Sequence, residues 1–159
     1  MALRRLVPSL CAMTGKADFT AEEWELLREG PPTAGIVALM AEHGGTFRET
    51  WALAKAYTEA RQEHGENELL DALVSEKPDV KRYKTPEEAE SQGLGRLTEA
   101  IALLEQKATV GEVTAYRKFV LDVAERVAEA HKEGGDQVSE NERAAIEKIA
   151  ASLYPSPSE

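Results

Sequence analysis

Five times along this chain a run of apolar residues is opened by a Ser or Thr that is followed three residues later by a Glu. The pairs are Thr20–Glu23, Thr46–Glu49, Thr85–Glu88, Thr109–Glu112 and Ser139–Glu142, and each opens a run of apolar residues at helical spacing. In such a pair the hydroxyl accepts a backbone N–H three residues on. The carboxylate reaches back to the first residue's N–H, so donors that a helix start leaves without partners are satisfied. Five starts within 159 residues dictate helices of moderate length joined by short turns. No stretch alternates apolar and polar residues with period two, and no Asn-Gly hairpin turn occurs. The expected fold is all-α, a single-domain bundle of about seven helices.

Taken in order, Phe19 and Trp24 flank the first box at the positions of a hydrophobic staple. A helix is expected from Ala21 to about Glu29, stopped by Gly30-Pro31-Pro32. The next helix, PTAGIVALMAEH, is apolar nearly all round and so is expected to be buried, ending at Gly44-Gly45. Thr46 opens a helix to about Glu63 that presents Phe47, Trp51, Ala54 and Tyr57, aromatic residues that suit a core. Asn67 can cap ELLDALVSE, which stops before Pro78, and DVKRYK reads as a loop. From Thr85 a helix carries Leu94, Leu97, Ile101 and Leu104 inward, with Gly93 and Gly95 allowing a close crossing or a kink. After Thr109, the residues Val113, Tyr116, Val120, Val123, Val127 and Ala130 recur at spacings of three and four and form a seam. The last helix turns Ile146, Ile149 and Leu153 to the core. The two glycine pairs, Gly44-Gly45 and Gly134-Gly135, make two helix–GG–helix corners, as in a fold of two pseudo-repeated halves. On this reading residues 1–18 are an N-terminal extension, 19–154 a single helical domain and 155–159 a disordered tail.

Charge narrows the functional classes. There are 29 acidic and 19 basic side chains, a net charge of −10. Such a field repels phosphate backbones and favours cations or basic partners, so no nucleic acid is expected. Lys81-Arg82-Tyr83-Lys84 is the densest basic run, and acids follow it at once. No apolar run reaches the roughly 18 residues that a membrane span requires, and Pro8 interrupts the short apolar run after Arg4 and Arg5. The lone Cys11 has no intramolecular disulfide partner. A cytoplasmic location with no membrane partner is the expectation.

The spacing of its residues sets the chain apart from the common catalytic and metal motifs. There is no His-Glu-x-x-His, no cysteine pair, no Gly-x-Ser-x-Gly elbow and no glycine loop leading to Lys-Ser or Lys-Thr. Met40, Arg61 and Ala128 precede His43, His64 and His131 by three residues, which excludes the Glu-x-x-His pairs of a di-iron bundle. Each of those histidines sits near the end of a helix, where the macrodipole favours a cation. Asp122, Glu125, Glu129 and Glu133 share one helical stripe opposite the Val113–Val127 seam, with Lys118 and Arg126 interleaved, as on a solvated face. The acids of the second corner, Glu133, Asp136, Glu140 and Glu142, are candidate ligands for a divalent cation if Glu42 or Glu49 of the first corner converges on them. Capping and the macrodipole already account for acids at a helix start.

At this second corner the chain resembles the TerB-like family, whose signature is A-x-A-D-G-x-V-S-x-x-E. The matching residues are Ala128-Glu129-Ala130-His131-Lys132-Glu133-Gly134-Gly135 and Val138-Ser139-Glu140-Asn141-Glu142. Glu133-Gly134 replaces the family's Asp-Gly, two further residues separate that acid from Ser139, and His43 stands in the acid's place at the first corner. The resemblance spans Phe19 to Tyr154. It implies an all-helical, internally repeated domain tied to tellurite resistance and stress response, with metal binding by acids near the corners. The functional expectation is a non-enzymatic acidic domain that binds a cation or a protein partner. The alternative is a pure interaction or scaffold module, a homodimer with no metal site.

Overall fold

The computed structural model describes residues 15–40, 54–55, 57–59, 62, 68–76, 83–132 and 140–154. A 3-10 turn, Lys16–Asp18, precedes five α-helices: α1 (Ala21–Met40), α2 (Glu68–Ser75), α3 (Pro86–Lys107), α4 (Val110–Lys132) and α5 (Glu140–Leu153). Positions 54–55, 57–59 and 62 are helical as well, and no strand occurs among the described residues. The chain is an all-α bundle. Its core runs through Leu27, Val37, Leu97, Ile101, Leu104, Tyr116, Val120 and Ile149.

The start signals act as their chemistry dictates. Thr20 Oγ1 accepts from the N–H of Glu23 (3.1 Å) and Glu23 Oε1 from that of Thr20 (2.8 Å). Thr109 and Glu112 repeat the exchange at 3.2 and 2.9 Å. At the third box Thr85 Oγ1 accepts from Glu88, but Glu88 Oε2 takes the N–H of Lys84 at 3.1 Å. Phe19 and Trp24 meet with ring centroids 5.9 Å apart and form the expected staple. The boxes at Thr46 and Ser139, and both glycine corners, lie outside the described residues.

One expected break is absent. Gly30-Pro31-Pro32 does not stop the first helix; α1 runs through it as one element of 20 residues. Pro31 has no N–H for the Leu27 carbonyl, four residues back, which would leave that oxygen buried without a donor. Tyr116 on α4 supplies one, its hydroxyl donating to Leu27 O at 2.8 Å. Gly30 makes the approach possible, since a Cβ there would lie 2.0 Å from the Tyr116 hydroxyl. A proline inside a helix costs about 3 kcal/mol, and fully burying one Ile or Val returns about 1.5–3 kcal/mol. Two prolines lie inside α1 and cost about 6 kcal/mol together. Ile36 and Val37, only 6% and 3% exposed, therefore hold the second half of α1 in line together with the buried Ala34 and Ala38 and the Tyr116 bond to Leu27.

α1 is the central element and packs against α3, α4 and α5. Its crossing with α3 is close because Gly93 has no side chain: a Cβ there would meet methyls of Thr33 and Val37 at 2.8 and 3.0 Å. Gly95 faces open space, so only the first of this glycine pair serves the crossing. The seam on α4 is buried at every described position, and it divides between two clusters. Val113, Tyr116 and Val120 join the main core. Val123 and Val127 pack with Phe119, Val74 and Tyr57, the Tyr57 and Phe119 rings meeting edge-on at 5.2 Å. On α5 Ile149 and Leu153 are buried and Ile146 packs at the margin. The end of α5 is capped by neighbours: Thr98 Oγ1 donates to Ser152 O (3.3 Å) and Arg117 Nε to Leu153 O (2.7 Å).

Candidate functional site

The second corner is built from the end of α4 and the start of α5. Of its acids, Glu140 and Glu142 stand in the first turn of α5, where the helix dipole favours negative charge. They differ in environment: Glu140 is exposed, whereas Glu142 is 1% exposed and engaged in an interaction. Glu133, Asp136, Glu42 and Glu49 lie outside the described residues, as do Cys11, Phe47, Trp51 and the side chains of His43, His64 and His131. Among the described residues no three His, Cys, Asp or Glu side chains come together to hold a metal ion.

The acidic stripe on α4 reaches this corner from one side. Glu125 and Glu129 are exposed and Asp122 is half-buried, opposite the buried Val123 and Val127. Its interleaved cations are an exposed Lys118 and a half-buried Arg126, which pairs with Glu59. This is the arrangement of a solvated helix face. Among the described residues no helix is long and apolar enough to cross a membrane.

Among the described residues, one carboxylate with three partners is one that sequence spacing does not single out. Glu76, just past α2, accepts from Trp24 Nε1 at 2.8 Å. It also pairs with Lys16 Nζ at 3.1 Å and with Arg28 Nε at 3.2 Å. Burial pushes its pKa up, but the hydrogen bonds from Trp24 and Lys16 outweigh this and hold it below the usual carboxylate value. A second pair, Glu29 with Arg96, joins α1 to α3 through Nε and Nη2 at 3.0 and 2.7 Å. The signal for the Glu76 cluster was the indole N–H of Trp24, which needs an acceptor once the ring is buried. Its partner is 52 residues away in sequence and cannot be read from periodicity. These contacts join elements of the fold and bring no nucleophile to a base.

Comparisons with known protein families, with curated proteins and with solved structures each find no match.

Proposed function

We propose that this chain is a non-enzymatic acidic helical domain of TerB-like type that recognises a cation or a basic protein partner at its second corner. The observation that carries the reading is the placement of carboxylates on either side of that corner. Glu125 and Glu129 on α4 and Glu140 on α5 all stay at the surface, in a chain of net charge −10. Such a field concentrates cations and speeds encounter with basic surfaces. The TerB-like resemblance, which rests on the corner residues alone, supports the same place and a role in stress response. A divalent cation would take its ligands from Glu133, Asp136 and Glu140 with Glu42 or Glu49, because oxygen-ligand sites draw on several segments. Glu142, turned into the bundle, serves as a cap in this scheme.

Calorimetric titration with Ca²⁺, Mg²⁺ and Zn²⁺ tests the cation half. Binding tighter than about millimolar that is lost in Glu133→Gln supports it; no heat at that concentration removes it, since dedicated intracellular sites bind more tightly. The second reading, a self-associating interaction module, is favoured by the exposure of Val110 (84%) and Tyr154 (56%). Light scattering across concentration separates the two, because a strict monomer leaves no room for a homodimer.

A further inference from the structure

The segment Gly15–Thr20 is attached to the bundle in an unusual way for its position over a core tryptophan. Its 3-10 turn buries none of its own residues. Its internal backbone bonds are Asp18 N–H to Gly15 O and Phe19 N–H to Lys16 O, Gly15 N–H is met by the Asp18 carboxylate, and Thr20 bonds to Glu23 and Trp24 as the cap of α1. Phe19 is the one side chain it buries. Two lysines tie it to the bundle, its own Lys16 and Lys107 of α3. Lys16 reaches Glu76 and lies 5.9 Å from the Trp24 ring centroid. Lys107, at the end of α3, donates to Asp18 O at 3.3 Å and to Glu23 at 2.7 Å, and stands 5.5 Å from the Phe19 ring. The side chains of Lys16 and Lys107 are 61% and 34% exposed, so both ties are screened by water.

We propose that Gly15–Thr20 is a strap that opens as a unit while the bundle stays folded, with Glu76 as its latch. Local opening is set by how few buried contacts and internal backbone bonds a segment makes, and this one is held by a single buried ring, one exposed ion pair, the Lys107 bond to Asp18 O and the Thr20 cap. The core beneath is held by continuous helices. Opening bares the Phe19–Trp24 face and frees the Glu76 carboxylate from Lys16. It thereby presents an indole beside a carboxylate, the chemistry that receives an ammonium group.

Native-state trypsin digestion of the full chain, followed by mass spectrometry across a urea series below the unfolding transition, tests the proposal. Cleavage after Lys16 is expected to depend weakly on urea, and cleavage after Arg117, midway along α4, to follow global unfolding. Glu76→Gln should raise the rate after Lys16 by roughly fivefold, the worth of its exposed pair with Lys16, and leave the weak urea dependence there unchanged, while the rate after Arg117 keeps its steep urea dependence and rises only with the loss of global stability. Equal urea dependence at the two bonds in the wild-type chain overturns the strap, whatever the variant does. An unchanged rate after Lys16 in a folded Glu76→Gln protein overturns the latch.

Discussion

Tyr116 and Gly30 act as one unit with Pro31. The Tyr116 side chain is fully buried, and burial pushes its phenol well above the usual pKa, so it remains a donor to the Leu27 carbonyl at any ordinary pH. Tyr116→Phe keeps the ring and removes the donor. A buried carbonyl left without its partner costs about 1–3 kcal/mol, and urea unfolding should show a loss of that size with an unchanged m-value. Gly30→Ala drives a methyl to within 2.0 Å of the same hydroxyl and should cost at least as much through overpacking. In a Tyr116→Phe background the clash is reduced to the ring carbon at 3.1 Å, so the two losses should sum to more than the double variant loses. Strict additivity in this cycle would break the link between the glycine and the hydroxyl. Periodicity puts Tyr116 on the inward seam, and Gly30-Pro31-Pro32 by itself predicts a stop. The second inference failed because a proline's lost hydrogen bond can be replaced from another helix 89 residues away.

At the scale of elements, helix starts were legible, as were the ends ahead of Pro78 and Pro155. The stop expected at Gly30-Pro31-Pro32 is absent, and the partners that cap an end are distant in sequence. Thr20–Glu23, Thr85–Glu88 and Thr109–Glu112 all work from residues three apart, which a linear sequence displays. The end of α5 depends on Thr98 and Arg117, which sequence places far from it. Crossings are intermediate: two glycines two residues apart looked alike, and only Gly93 touches a neighbour. This gives a paired prediction. Gly95→Ala should stabilise the protein by about 1 kcal/mol, the helix propensity difference alone. Gly93→Ala gains the same propensity but forces the methyls of Thr33 and Val37 apart at 2.8 and 3.0 Å. Both are β-branched and stiff at χ1, so the crossing must widen, and a net loss of about 1–2 kcal/mol is expected. Thermal unfolding of the two variants reads the opposite signs directly, and a stabilised Gly93→Ala would remove the close crossing as an account of the α1–α3 contact.

Over the whole molecule, the candidate site was legible only as composition, because acids at a corner look the same in sequence whether they cap a helix or gather an ion. Glu142 turned out buried and Glu140 exposed, a difference that depends on how α5 is rotated against its neighbours. Charge pairing across the molecule does yield a pH prediction. Glu23 is held below the usual carboxylate value of 4.5, chiefly by the hydrogen bond from Lys107. Glu76 is held below it too, by Trp24 and Lys16 acting against burial. A carboxylate whose pKa is lower in the folded chain binds fewer protons there than in the unfolded chain over the interval between the two values. Its contribution is therefore fully present above about 4.5 and is lost as pH falls through the folded value. Protonation of other surface acids works the opposite way, relieving the repulsion of a chain with net charge −10. Absolute stability mixes the two effects, so the informative quantity is the difference between wild type and Glu76→Gln. That difference should be constant from pH 7 to 5, of the order of 1 kcal/mol for a partly exposed pair, and shrink below pH 4.5 as the wild-type carboxyl takes up its proton. Urea midpoints measured in parallel across that range provide it, and a difference that persists unchanged at pH 3 would mean that Glu76 contributes through shape and neutral hydrogen bonding, with no part played by its charge.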